Sequence, residues 1–122
     1  NESETEALTG RPVNSVAEAE AAARGLLDQG AGAALITLGE NGVLSHDGRR
    51  TQHIPALSAG PVVETTGAGD AFNGGLAAAL AEGADPIEAA RFGTATAAIS
   101  VTRPGTAPSM PTRKEIDALL QK

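Results

Sequence analysis

The chain has 122 residues, of which 41% are hydrophobic and 20% charged, with a formal net charge of −6, a balance that suits one globular domain and argues against a disordered or fibrous chain. The acidic surplus argues against nucleic acid or an anionic membrane as partner, because both need a basic face to displace counterions. No apolar run approaches the ~20 residues of a membrane span, and with no Cys there is neither a disulfide framework nor a thiolate metal site, so a cytoplasmic protein is expected. With two Phe and no Trp or Tyr, Ala, Leu, Val and Ile must fill the core, which favours helices packed closely on a sheet.

In chain order, Glu4 to Leu8 suits a short helix stopped by Thr9-Gly10, since Gly is favoured just past a helix. Ser15-Val16-Ala17-Glu18 has the spacing of a capping box and opens a helix to about Gln29, with Val16, Ala19, Ala23, Leu26 and Leu27 on one face. The continuous apolar run Ala33 to Leu38 then suits a strand of a parallel sheet covered on both faces. Val43 to His46, Asp47-Gly48 and Arg49 to Ile54 predict a hairpin around a two-residue Asp-Gly turn, exposed because so many of its residues are polar. His46 and His53 read as surface histidines. Pro55 to Pro61 is a loop, and Val62-Val63 a short strand.

A helix is expected from about Ala68 to Glu82 and another from Asp85-Pro86 to about Val101, with Asp as cap and Pro in the first turn. Arg103 to Pro111 holds three prolines and a glycine and is expected to lack regular structure. Thr112 to Glu115 is a second capping-box pattern, opening a terminal helix with Ile116, Leu119 and Leu120 inward and Arg113-Lys114 on a solvated face. Helices alternating with strands make the layout α/β.

The segment with most chemistry is Glu64-Thr65-Thr66-Gly67-Ala68-Gly69-Asp70-Ala71-Phe72. A helix start leaves backbone N–H groups without partners and carries partial positive charge, so a glycine-opened turn there can hold an anion without Lys or Arg. Beside a transferring phosphoryl group, Asp70 can take the proton of the attacking hydroxyl. The same residues also fit glycines that merely permit close packing, with Asp70 as an ordinary first-turn acid.

Four segments in order carry a wider resemblance: Asn1-Glu2-Ser3-Glu4 with Leu8-Thr9-Gly10, Thr37-Leu38-Gly39 with Gly42, the Thr65 to Phe72 segment, and Val101 to Pro111. Together they resemble the C-terminal part of the ribokinase-like, or PfkB, family of carbohydrate kinases over essentially the whole chain. The resemblance implies the ATP-binding portion of a three-layer α/β/α sandwich and ATP-dependent phosphorylation of a sugar hydroxyl, the 5-hydroxyl of D-ribose in its ribokinase branch. Fructokinase or nucleoside kinase activity, or a nucleotide-binding module without chemistry, are the alternatives.

Residue by residue, the resemblance makes Asp70 the base in contact with the sugar and Gly67, Ala68, Gly69 and the Asp70 amide the anion hole. Asn1 would meet a nucleotide phosphate and Glu4 the hydrated Mg2+. Thr37, Leu38, Gly39, Glu40, Asn41 and Gly42 would form the β-phosphate and ribose side of the ATP site, with Thr94 on the adenine side. Glu64, Thr66, Ser100, Arg103, Gly105 and Ser109 match a site for a monovalent cation, K+, several of them through backbone carbonyls. Glu64 departs from the family, which more often has Asp there, and Arg103 can offer only its carbonyl. A homodimer is implied for the full-length protein. The family's sugar pocket and lid have no match here, and the first residues read as the interior of a motif, so a fragment is expected, poorly stable or inactive alone.

Overall fold

Side-chain caps at Asn1, Ser15, Asp85 and Thr112 mark four of the five α-helix starts in the computed structural model, which describes residues 1–122. Two units, Asn1–Pro55 and Ala56–Lys122, each hold their own core.

In the first unit, helix α1 (Glu2–Thr9) starts two residues before its expected position because Asn1 and Glu4 form a full capping box, and it stops at Gly10 with φ of 68°. Helix α2 (Val16–Asp28) is capped by the Ser15 side chain on the Glu18 N–H, 3.1 Å, without the reciprocal half of the expected box. Strands β1 (Ala34–Thr37), β2 (Val43–His46) and β3 (Thr51–Ile54) form a sheet in that order. Both pairings are antiparallel, so the parallel pairing expected for the Ala33 to Leu38 run is absent from this chain. A buried apolar run specifies burial, and the short connection to β2 decides direction. Ile36 lies opposite Leu44, and both join Ala34 and Leu38 against Ala19, Ala22 and Ala23 of α2, whose small side chains bring the helix close to the sheet.

The hairpin departs from its expected form in two ways. All four residues of β2 are buried while Thr51, Gln52 and His53 of β3 are exposed, so only the second strand matches the exposed hairpin expected, and His46 is a core residue whose Nδ1 lies 2.8 Å from Thr51 Oγ1. His53 stays exposed and bonds the Asn41 carbonyl. The turn centres on Gly48-Arg49 instead of Asp47-Gly48: Asp47 N–H donates to the Arg50 carbonyl, its carboxylate accepts from the Arg49 and Arg50 N–H groups, and Gly48 takes φ of 87°. Those two amides hold the Asp47 carboxyl below its ordinary value.

The second unit is helical. Val62 and Val63 form no strand and are exposed, although the Val63 and Glu64 N–H groups both donate to the Val101 carbonyl. Helix α3 (Ala68–Ala81) packs along α4 (Pro86–Ser100), which Asp85 caps through the Ile87 and Glu88 N–H groups. Glycine makes that packing possible. A Cβ on Gly75 would fall 2.3 Å from Thr96 Oγ1 and 3.1 Å from the Gly93 Cα, and one on Gly93 would fall 2.8 Å from the Phe72 carbonyl oxygen. The segment expected to lack regular structure contains one 3-10 turn, Ala107–Ser109. Helix α5 (Arg113–Leu120) has the full Thr112–Glu115 capping box and buries Ile116 against Ala79, Ala89, Phe92, Ala95 and Ile99. Arg113 is not simply solvated: its guanidinium sits 4.6 Å from the centre of the Phe92 ring and bonds Glu82 and Asp117, which raises its pKa further, Glu82 contributing most.

Candidate functional site

Gly67 precedes α3 with φ of 81°, a left-handed conformation natural only to glycine, and a Cβ there would lie 3.2 Å from Thr106 Cγ2. The turn is thereby pressed against the loop after α4. Asp70 occupies the third helical position of α3, exposed, and opens onto a groove of about 360 Å³ lined also by Gly74, Gly75, Phe92, Thr96 and Arg113. In the Gly67 to Asp70 turn expected to form the anion hole, Ala68 N–H is committed to the Thr65 carbonyl at 3.1 Å, while the N–H groups of Gly69 and Asp70 have no acceptor in the chain. Two adjacent N–H groups with the helix dipole behind them fit a phosphate oxygen.

The loop expected to hold a monovalent cation gathers in the same unit. Glu64 Oε2 accepts the Gly105 N–H at 2.7 Å across 41 positions of sequence, leaving Oε1 without a partner. Ser100 and Ser109 hydroxyls donate to the Ala97 and Thr106 carbonyls, and Ser100 O accepts the Arg103 N–H. The carbonyls of Thr66, Arg103 and Gly105 accept nothing within the chain. An all-oxygen donor set with these free lone pairs fits a hard cation. The Arg103 guanidinium turns to Glu115, so only its carbonyl is left for an ion.

In the first unit, β1 ends in a 3-10 turn, Gly39–Asn41, in which Gly39 and Gly42 have φ of 55° and 86°. Leu38 N–H bonds the Gly42 carbonyl, whereas the Gly39 and Glu40 amides have no partner in the chain, a second place where backbone can meet phosphate. Leu38 and Asn41 share an open depression of about 400 Å³ with Glu2, Val13 and Asn14, which brings the end of β1 close to the start of α1. Asn1 Oδ1 accepts the Glu4 N–H at 2.9 Å and Glu4 Oε2 the Asn1 amino group at 2.7 Å, so both are helix-capping residues. The other Glu4 oxygen is free; Mg2+ usually keeps waters and takes only one or two carboxylates. No three His, Asp or Glu side chains cluster closely enough to hold a metal by themselves. Thr94 is buried with its hydroxyl donated to the Ala90 carbonyl.

Sequence reasoning missed the contact of Thr106 with Gly67, the Glu64–Gly105 bond and the Arg103–Glu115 pair. Only Glu115 carried a signal, as the acid of a capping box.

Residues 1–113 match the pfkB family of carbohydrate kinases. Ribokinase of Haemophilus influenzae is 44% identical over 115 residues, which cover 94% of this chain and 37% of that protein. Deoxyribokinase of Salmonella typhimurium is 38% identical over 120 residues, 98% of this chain and 39% of that protein. Among solved structures, Arabidopsis thaliana ribokinase complexed with ribose and ATP superposes with a TM-score of 0.95 at 35% identity, covering all of this chain and 39% of that one. The chain thus spans under two fifths of the length of these relatives, and its fold is ribokinase-like α/β. With the glycine-opened helix start and its carboxylate in place, the match to residues 1–113 settles the family: the chain belongs to the pfkB carbohydrate kinases.

Proposed function

We propose that the chain is the ATP-binding and catalytic part of a kinase that transfers the terminal phosphoryl group of ATP to the 5-hydroxyl of D-ribose, giving D-ribose 5-phosphate and ADP. The observation that carries this reading is the exposed Asp70 carboxylate beside the partner-free Gly69 and Asp70 amides at the start of α3. Asp70 accepts the hydroxyl proton as the sugar oxygen bonds to phosphorus and the bond to the ADP oxygen breaks. The two amides take up charge on the phosphoryl oxygens, and the helix dipole adds to them.

The Gly39 and Glu40 amides serve the nucleotide phosphates, with Thr37, Leu38, Asn41 and Gly42 shaping that end of β1. Asn1 assists there, and Thr94 contributes on the adenine side through the bulk of its helix. Glu4 would hold Mg2+ and its waters; the ion would supply charge neutralisation on the phosphates. Glu64, Thr66, Ser100, Arg103, Gly105 and Ser109 would hold K+, which would fix the loop that abuts Gly67. The full-length protein acts as a cytoplasmic homodimer in this reading; no helix here is long and apolar enough to cross a membrane.

The similarity to a deoxyribokinase favours one second reading, 2-deoxyribose as the sugar. Ribose and 2-deoxyribose assayed side by side on the full-length enzyme separate the two: the preferred sugar has the higher kcat/KM. Asp70→Asn in the same enzyme tests the mechanism. Turnover should fall by about 10²–10⁴, the usual worth of a general base, with ATP affinity nearly intact; equal loss of both would make Asp70 a binding residue.

A further inference from the structure

Both oxygens of one carboxylate in α5 are spoken for, and they grip opposite ends of the same loop. Glu115 Oε1 pairs with the Arg103 guanidinium just after α4, and Oε2 accepts the Thr112 N–H at 2.7 Å and its hydroxyl at 3.1 Å, just before α5. Between those anchors lie Gly105, whose N–H is fixed by Glu64, Thr106, whose Cγ2 would lie 3.2 Å from a Cβ on Gly67, and Ser109, which is 1% exposed.

We propose that Glu115 is a positioning residue for the monovalent-cation site, holding the Arg103 and Gly105 carbonyls where an ion can use them. The proposal rests on the cation reading of this loop given above. A helix cap alone needs only the oxygen on Thr112. The second oxygen, committed to a side chain twelve residues upstream, does nothing for the cap and is explained by the loop. Arg103 cannot ligate a cation through its guanidinium, and pairing with Glu115 draws that positive charge away from the site while leaving the carbonyl of the same residue free.

The test uses the full-length enzyme. Glu115→Gln keeps a side chain able to complete the capping box but loses the charge that holds Arg103; Glu115→Ala loses both. Arg103→Met removes the guanidinium and keeps the carbonyl. Asp117→Asn, on the same helix, breaks only a pair with Arg113. Two readouts are taken: the KCl dependence of the melting temperature against choline chloride at fixed ionic strength, and the KCl dependence of sugar phosphorylation.

The expected result is a K+ midpoint raised about 10-fold or more in Glu115→Gln, Glu115→Ala and Arg103→Met, the range usual for losing a group that orients metal ligands. Turnover recovers at saturating KCl, the Glu115→Gln and Arg103→Met double variant adds nothing further, and Asp117→Asn leaves the midpoint where it was. A wild-type enzyme that responds to K+ beside a Glu115→Gln variant with the same midpoint would reduce Glu115 to a helix cap and overturn the proposal. A wild-type enzyme indifferent to KCl over choline chloride would overturn both the cation reading and this inference. ADP formation dependent on the sugar would then judge the kinase reading separately.

Discussion

Asp70 and Glu115 are both first-turn acids of helices, yet their surroundings give them opposite work. Asp70 faces an open groove, its carboxylate makes no bond in the chain, and the Gly69 and Asp70 N–H groups beside it have no acceptor. Glu115 is bound on both oxygens. Its carboxyl is lowered from 4.5 to about 2 in the folded chain, so its contribution to stability is present above the unfolded value and declines as pH falls below it. That contribution is gone once pH passes through about 2. Carboxyl-carbon NMR of the Glu115 side chain should therefore give a midpoint near 2, and Arg103→Met should move it back up toward the ordinary carboxylate range. A midpoint unchanged by that substitution would place the cause in Thr112 alone. The Gly67 to Asp70 turn was legible in the sequence because everything it needs is local: a glycine free to take positive φ, and an acid three residues on. The Glu64–Gly105 bond spans 41 positions, and no local pattern announces such a contact.

At the scale of elements, the α3–α4 contact depends on two glycines that sequence reading passes over as weak helix formers. Gly75→Ala adds about 1 kcal/mol of helix propensity, but the new methyl collides with Thr96, 2.3 Å away, and overpacking typically costs about 1–3 kcal/mol. The full-length enzyme carrying Gly75→Ala should show a lower urea midpoint than wild type; a rise would mean that the two helices can separate at little cost. Helix ends were the most legible elements, since Gly10, Asp85-Pro86 and Thr112 to Glu115 act through hydrogen bonds within a few residues. Strand direction was not. Ala34 to Thr37 is as apolar as a parallel strand would be, and its antiparallel pairing is set by the neighbour that follows it. Val62-Val63 has strand-like residues but meets only the single carbonyl of Val101, too little to build a ladder.

For the molecule as a whole, two cores built mostly from alanine and short aliphatic chains serve units of 55 and 67 residues, sizes at which a single core is marginal. The chain accounts for 37% of the Haemophilus influenzae ribokinase and 39% of the Salmonella typhimurium deoxyribokinase, and β1 is paired on one side only. The 122 residues produced alone should give no ribose-dependent ADP release and a weak or broad thermal transition. Robust turnover from the isolated chain would show that the remaining three fifths of such relatives are dispensable. The glycine contact between α3 and α4 has a consequence at this scale as well. Because backbone already rests on backbone there, the helix that carries Asp70 has little slack in which to tilt. Under the kinase reading proposed above, divergence in sugar preference is therefore steered to loops and pocket walls, with α3 a fixed datum against which they vary.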